Sequence, residues 1–107
     1  MIVHTVDRRV QQIQPGAERV MLAHGERLML VEIALAEGCT VAPHAHPHEQ
    51  ASYVIRGVVR FAVAGQDVVL DAGESIHFPP NQIHGATALA DSLLVDAFTP
   101  PREDFLA

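Results

Sequence analysis

There is no lysine in this chain. Its 107 residues carry thirteen acidic groups against seven arginines, a net charge of −6 with the histidines neutral. The arginines are scattered, so no basic face is available for nucleic acid or an anionic membrane. A small anionic ligand remains compatible, because one or two arginines in a pocket suffice for it. Cysteine is almost missing too: Cys39 stands alone and can form no internal disulfide, which fits a reducing compartment. No apolar run approaches the length needed to span a bilayer. Met1 to Val10 contains Asp7, Arg8 and Arg9 and lacks the apolar h-region of a signal peptide, so the expected location is cytoplasmic. There is no internal repeat, low-complexity tract or linker. The length is that of one domain, expected over residues 1–107 with its core at about 19–99.

Against these absences, the hydrophobic share of 49% is ordinary for a chain that buries a core. Short β-type runs are separated by turn residues. They cover Arg19 to Leu22, Leu28 to Ala36, Thr40 to His46, Gln50 to Ile55, Val58 to Ala64, Val68 to Leu70, Ser75 to Phe78, Ile83 to Leu89 and Ser92 to Phe98. About nine strands at roughly ten-residue spacing is the rhythm of an all-β sandwich or barrel. Only the tail carries a helix signal. Thr99 can cap, Pro100 and Pro101 suit a first turn, and Glu103 and Asp104 suit a positive helix N-terminus, so a short helical turn is expected over Arg102 to Leu106.

Histidine is abundant, with seven in the chain, and His44, His46 and His48 fall within five positions. His44 and His46 are spaced i, i+2, which on a strand puts both imidazoles on one face with Cα atoms about 6.6 Å apart. Both rings can then meet one metal ion. Pro47 keeps His46 extended. A straight strand would carry Gln50 roughly 20 Å from His44, so the chain must turn through Pro47-His48-Glu49 for Gln50 to join the pair. His84 would arrive from a distant strand. The plainer alternative is a set of polar histidines on a surface loop. His48 is the reserve ligand, although solvent exposure suits it and Glu49 better. His77 reads as surface or interface, His4 and His24 have no motif context, and Cys39 reads as a small apolar residue.

The segment Gly38-x5-His44-x-His46-x3-Gln50-x6-Gly57 resembles the first motif of the cupin superfamily, and Gly73-x5-Pro79-x-Asn81-x2-His84 resembles the second. The resemblance implies an antiparallel jelly-roll β-barrel with a metal at its centre, usually in a homodimer. Two positions depart from the pattern: Gln50 stands where Glu is usual, and Asn81 where Gly is usual. Asn tolerates a positive φ better than other non-glycine residues. Gln50 leaves the ligand set neutral, so a bound ion keeps its full charge. That favours proton-transfer or isomerisation chemistry over oxygenation.

In Ser92 to Phe98, alternation puts Leu94, Asp96 and Phe98 on one face. An aspartate in such an apolar run is costly to bury unless paired or functional. A structural role would be a salt bridge to Arg56 or Arg60, two arginines that share the Gln50 side only if no bulge intervenes. The tail from Asp96 to Leu106, with the run from His44 to Gln50, resembles the KdgF family of pectin and alginate breakdown. That resemblance implies conversion of 4,5-unsaturated monouronates to linear keto sugars. It also implies a single divalent metal (Ni, Zn, Fe, Mn or Co) held by His44, His46, Gln50 and His84, with activity resting on Asp96, Phe98 and Arg102. Asp96 would be the acid/base, Arg102 would bind the substrate carboxylate, and Phe98 would wall the sugar ring. Two other functions stay open: a cupin dioxygenase, and a non-catalytic metal- or sugar-binding cupin.

Overall fold

The computed structural model describes all residues, 1–107. After a single 3-10 turn at Thr5–Asp7 the chain is almost entirely strand: β1 Val10–Gln14, β2 Ala17–His24, β3 Met29–Leu35, β4 Thr40–His44, β5 Glu49–Arg56, β6 Val58–Val63, β7 Gln66–Asp71, β8 Ser75–Phe78, β9 His84–Ala88 and β10 Ser92–Thr99. One helical turn, α1, spans Glu103–Leu106. The strands form two antiparallel sheets, ordered β1-β2-β3-β10-β5-β8 and β4-β9-β6-β7. This is the all-β architecture expected from the strand rhythm, and the jelly roll that the cupin resemblance implies.

The turns follow from backbone chemistry. Gly57 has φ +94, and a Cβ there would lie 2.2 Å from Ser92 Oγ and 2.6 Å from the Asp91 carbonyl oxygen, so glycine is required where β5 passes into β6. Asn81 adopts φ 66, the left-handed conformation its residue type tolerates.

Three expectations need correction. The strand predicted over Thr40 to His46 ends at His44, because β4 and β5 belong to different sheets and residues 45–48 cross between them. His46 therefore sits on the crossover and not beside His44 on a strand. The N-terminal strand β1 was not expected, since its VQQIQ sequence shows little apolar alternation. The terminal helix begins at Glu103, with Arg102 in the cap position and making no side-chain cap, while Thr99 is the last residue of β10.

Inward-facing positions change character along the barrel. On β5, Gln50, Ser52 and Val54 are buried, and on β10 they face Phe98, Asp96 and Leu94 in register. The apolar end is packed by Leu35, Val54, Val59, Phe61, Leu70, Phe78 and Leu94. Met29, Val31 and Phe98 form a second cluster against Phe105. Burying such side chains contributes roughly 1.5–3 kcal/mol each. At the end where β5 and β9 begin and β10 finishes, polar groups replace apolar ones.

Candidate metal centre and pocket

Three imidazoles converge at that polar end. Ligand atoms of His44, His46 and His84 all lie within 4.8 Å of one another. His44 and His84 are brought together by the β4–β9 ladder, where they are direct partners. Gly85 permits that approach: a Cβ there would come within 3.0 Å of Pro43 N and Val41 O. His46 reaches the cluster from the crossover, which is anchored by Asn81 N–H donating to the His46 carbonyl at 2.8 Å. Phe78 stacks on the His84 ring at 4.2 Å and 14°, and Phe98 meets His46 edge-on at 5.7 Å. These contacts fix ring orientations.

The tautomers are fixed as well. Nδ1 of His44 donates to the Ala42 carbonyl at 3.1 Å, that of His46 to the His48 carbonyl at 3.1 Å, and that of His84 to the Gln82 carbonyl at 2.8 Å. Each Nε2 then carries its lone pair toward the shared centre, the arrangement metal-binding histidines use. Burial depresses the pKa of His46, helped by the Arg102 charge, and burial likewise depresses that of His84. Both rings are thereby held neutral, as a ligand must be.

Gln50 completes the set. Its Oε1 lies 2.9 Å from His46 Nε2, while its Nε2 donates to Ser52 Oγ at 3.0 Å. Ser52 in turn donates to Asp96 Oδ1 at 2.6 Å. With Asp96 ionised, Ser52 must accept from Gln50, which directs the amide oxygen at His46. Two acceptors therefore face each other, and such a pair is stable only with a cation or a proton between them. The residues present thus fit a divalent metal, with His44, His46, His84 and Gln50 able to hold it.

A cavity of about 300 Å³ opens above this cluster, at the small end of ligand pockets. Asp96 lies in its wall, opposite Ser52 on one side and Val31 on the other. Burial raises its pKa to about 6, against the opposing pull of the Ser52 hydrogen bond and the Arg102 charge. It makes no salt bridge to Arg56 or Arg60, both of which are exposed. A register shift between Leu93 and Leu94 turns Arg56 away from the Gln50 side.

Phe98 and Arg102 join Asp96 in lining the cavity. The Arg102 guanidinium lies 5.3 Å from the Phe98 centroid and 4.3 Å from that of Phe105. Its fork is filled by Asp104, through Nε at 3.1 Å and Nη2 at 3.0 Å. His48 does not line the cavity, and its Nδ1 is buried without a partner. His77 pairs with Glu49 on the exterior at 2.6 Å. Cys39 packs half-buried against the main core.

Among the lining residues that sequence reasoning missed are Ser52, Arg19 and Phe105. Ser52 was within reach of alternation, being two positions from Gln50 on one strand. Arg19 carried no motif signal, because β2 meets the pocket only through the pairing of β2 with β3 and of β3 with β10.

Residues 31–95 match the Cupin domain family model. This chain belongs to the cupin superfamily. Within the cupins its likeness is to KdgF proteins. It is 32% identical over 98 residues to the pectin degradation protein KdgF of Dickeya dadantii, covering 90% of this chain and 89% of that protein. It superposes on the structure of KdgF from a Halomonas species with a TM-score of 0.92 at 33% identity, covering 98% of this cupin and 97% of the other. An RmlC-like cupin from Shewanella frigidimarina superposes with a TM-score of 0.91 at 38% identity, covering 97% and 94% of the two chains. None of the helices is long and apolar enough to cross a membrane.

Proposed function

We propose that this cupin is a metal-dependent enzyme of pectin or alginate breakdown, opening 4,5-unsaturated monouronates and converting them to linear keto sugars. The observation that carries the reading is the series His46–Gln50–Ser52–Asp96, in which hydrogen bonds join Gln50 to Ser52 and Ser52 to Asp96 while the Gln50 amide oxygen faces His46 Nε2 at 2.9 Å. It links a three-histidine cluster to a carboxyl group with a pKa of about 6, in a pocket whose lining includes a guanidinium. Support also comes from the likeness to KdgF proteins over nearly the whole chain.

In this reading His44, His46, Gln50 and His84 hold one divalent ion of nickel, zinc, iron, manganese or cobalt. When bound, it supplies Lewis-acid polarisation of a sugar oxygen. The reaction is an isomerisation. One proton leaves the C1 hydroxyl as the C1–O bond to the ring opens, and one proton arrives at C4 as the released enol becomes a ketone. Asp96 can do both, because its Oδ1 is held by Ser52 and a pKa of about 6 makes both protonation states accessible near neutral pH. Arg102 binds the substrate carboxylate, displacing Asp104, whose own side chain is largely exposed. Phe98 excludes water from one side of the ring.

The protein is further proposed to act in the cytoplasm as a homodimer. The outer face of the six-stranded sheet supports the dimer: Tyr53 and Leu30 are exposed there at 47% and 36%, and Val95 and Ala97 lie in register between their strands.

The direct test is to incubate metal-loaded protein with 4,5-unsaturated galacturonate and follow the conjugated-ene absorbance. Accelerated loss is expected. Decay at the enzyme-free rate, with metal bound, overturns the reading.

A further inference from the structure

Arg19 projects from β2 onto the inner face of the larger sheet. Its register partners along that row are Gln11 on β1 and, on the other side, Ile33 on β3 followed by Leu94 and Val54. A guanidinium beside this apolar stretch needs an explanation, since a desolvated charge is costly without a charged partner. The row does not provide one. Arg19 Nε donates to Gln11 Oε1 at 2.8 Å, and its two terminal nitrogens donate to no protein atom. The ion pairs of the chain are Arg8–Glu32, His77–Glu49 and Arg102–Asp104, so Arg19 has no carboxylate within bridging distance.

The side chain is nevertheless held in place. Its Cζ lies 3.6 Å from the Phe105 centroid, a close cation–π contact, and Gln11 Nε2 donates to the Phe105 carbonyl at 3.3 Å. Gln11 and Phe105 therefore orient one face and one edge of the guanidinium and leave its fork open beside the cavity it lines. Burial lowers the pKa of Arg19, opposed by the Asp104 charge; the group stays cationic at any physiological pH. Of the two arginines lining the cavity, Arg102 is already paired bidentately with Asp104 and Arg19 is not paired with a carboxylate.

We infer that Arg19 is a carboxylate-binding residue that selects anionic sugars over neutral ones. This rests on the uronate reading above and adds a second, preorganised cation to it. The planar fork matches a carboxylate with two parallel hydrogen bonds, which an ammonium cannot reproduce.

Titration calorimetry on the holoenzyme with D-galacturonate and with D-galactose tests the binding directly. The wild type is expected to bind galacturonate at least tenfold more tightly. Arg19→Gln should lose tenfold or more for galacturonate and leave galactose unchanged, with Arg19→Lys between the two. If wild-type turnover is present, Arg19→Gln should also raise KM for the unsaturated uronate about tenfold while kcat changes by less than threefold. Equal wild-type affinity for the two sugars overturns the inference. So does an Arg19→Gln protein, folded by circular dichroism, that keeps galacturonate affinity within twofold. Should Arg19→Gln fail to fold, Arg19→Lys decides: unchanged galacturonate affinity overturns it. Missing turnover with intact galacturonate selectivity refutes the reaction and leaves the role of Arg19 standing.

Discussion

Ser52 Oγ donates to Asp96 Oδ1 at 2.6 Å, and the same oxygen receives the Gln50 amide at 3.0 Å. One hydroxyl thus joins the metal-facing amide to the pocket carboxylate, with a direction set by the amide. A glutamate at position 50 could not donate to Ser52. It would compete with Asp96 for the single hydroxyl proton, so the Gln50 departure from the usual cupin motif bears on Asp96 as well as on the ligand charge.

Removing that hydroxyl should therefore be visible in the pH profile. The Ser52 hydrogen bond holds the Asp96 pKa down against burial. Ser52→Ala is expected to move the apparent pKa of the reaction upward from about 6. It should also lower kcat at pH 7 about tenfold, the scale of one charge-assisted hydrogen bond. A pH–rate profile superimposable on that of the wild type would refute the link.

Asp96→Asn should separate activity from stability. The carboxyl titrates at about 6 in the folded chain against 3.8 in the unfolded one. Between these values the folded state holds a proton that the unfolded state releases. Stability from this group is thus greatest below about pH 4 and falls as pH rises through 6. Asn, which cannot ionise, should melt about 5 °C or more above the wild type at pH 7.5, and the two should converge near pH 4. Turnover should fall by 10²-fold or more. Melting curves across pH decide the first point, and equal activity would reject the acid/base role.

The ligand set predicts metal content. His46→Ala should lose stoichiometric metal by elemental analysis, because His46 lies against Gln50 at 2.9 Å as well as against the imidazoles of His44 and His84. Gln50→Glu should keep the metal. Full occupancy in His46→Ala would reject the set.

Asn81 serves backbone geometry. Its φ of 66 and its N–H bond to the His46 carbonyl at 2.8 Å predict that Asn81→Gly is nearly neutral. Asn81→Val should cost about 1–2 kcal/mol in urea unfolding and weaken metal binding. Equal stability of the two variants would contradict this.

Sedimentation should find a dimer that Tyr53→Arg converts to monomer, since Tyr53 sits exposed on the apolar outer sheet face. A monomeric wild type would remove the homodimer from the proposal.

Most strands were legible because their side chains alternate and their ends carry Gly, Pro or Asp. β1 was hidden by its glutamines. His44, His46, Gln50 and His84 could be named because spacing and motif coincide. That His46 rides a crossover was not visible, since nothing local says that β4 and β5 enter different sheets. Ser52 was accessible to alternation. Arg19 and Phe105 were not, because their meeting depends on pairing between β1, β2 and the chain terminus. The Asp104 partner of Arg102 lies two residues away, yet rotamer choice, not spacing, decides such a pair.

The crossover has one more implication. His44 and His84 belong to the four-stranded sheet and Gln50 to the six-stranded one. An ion held by all of them would rivet the two halves of the barrel, and its binding free energy would oppose their parting. Resistance to proteolysis, and with it the abundance of this protein in a cell, should then track the supply of that ion.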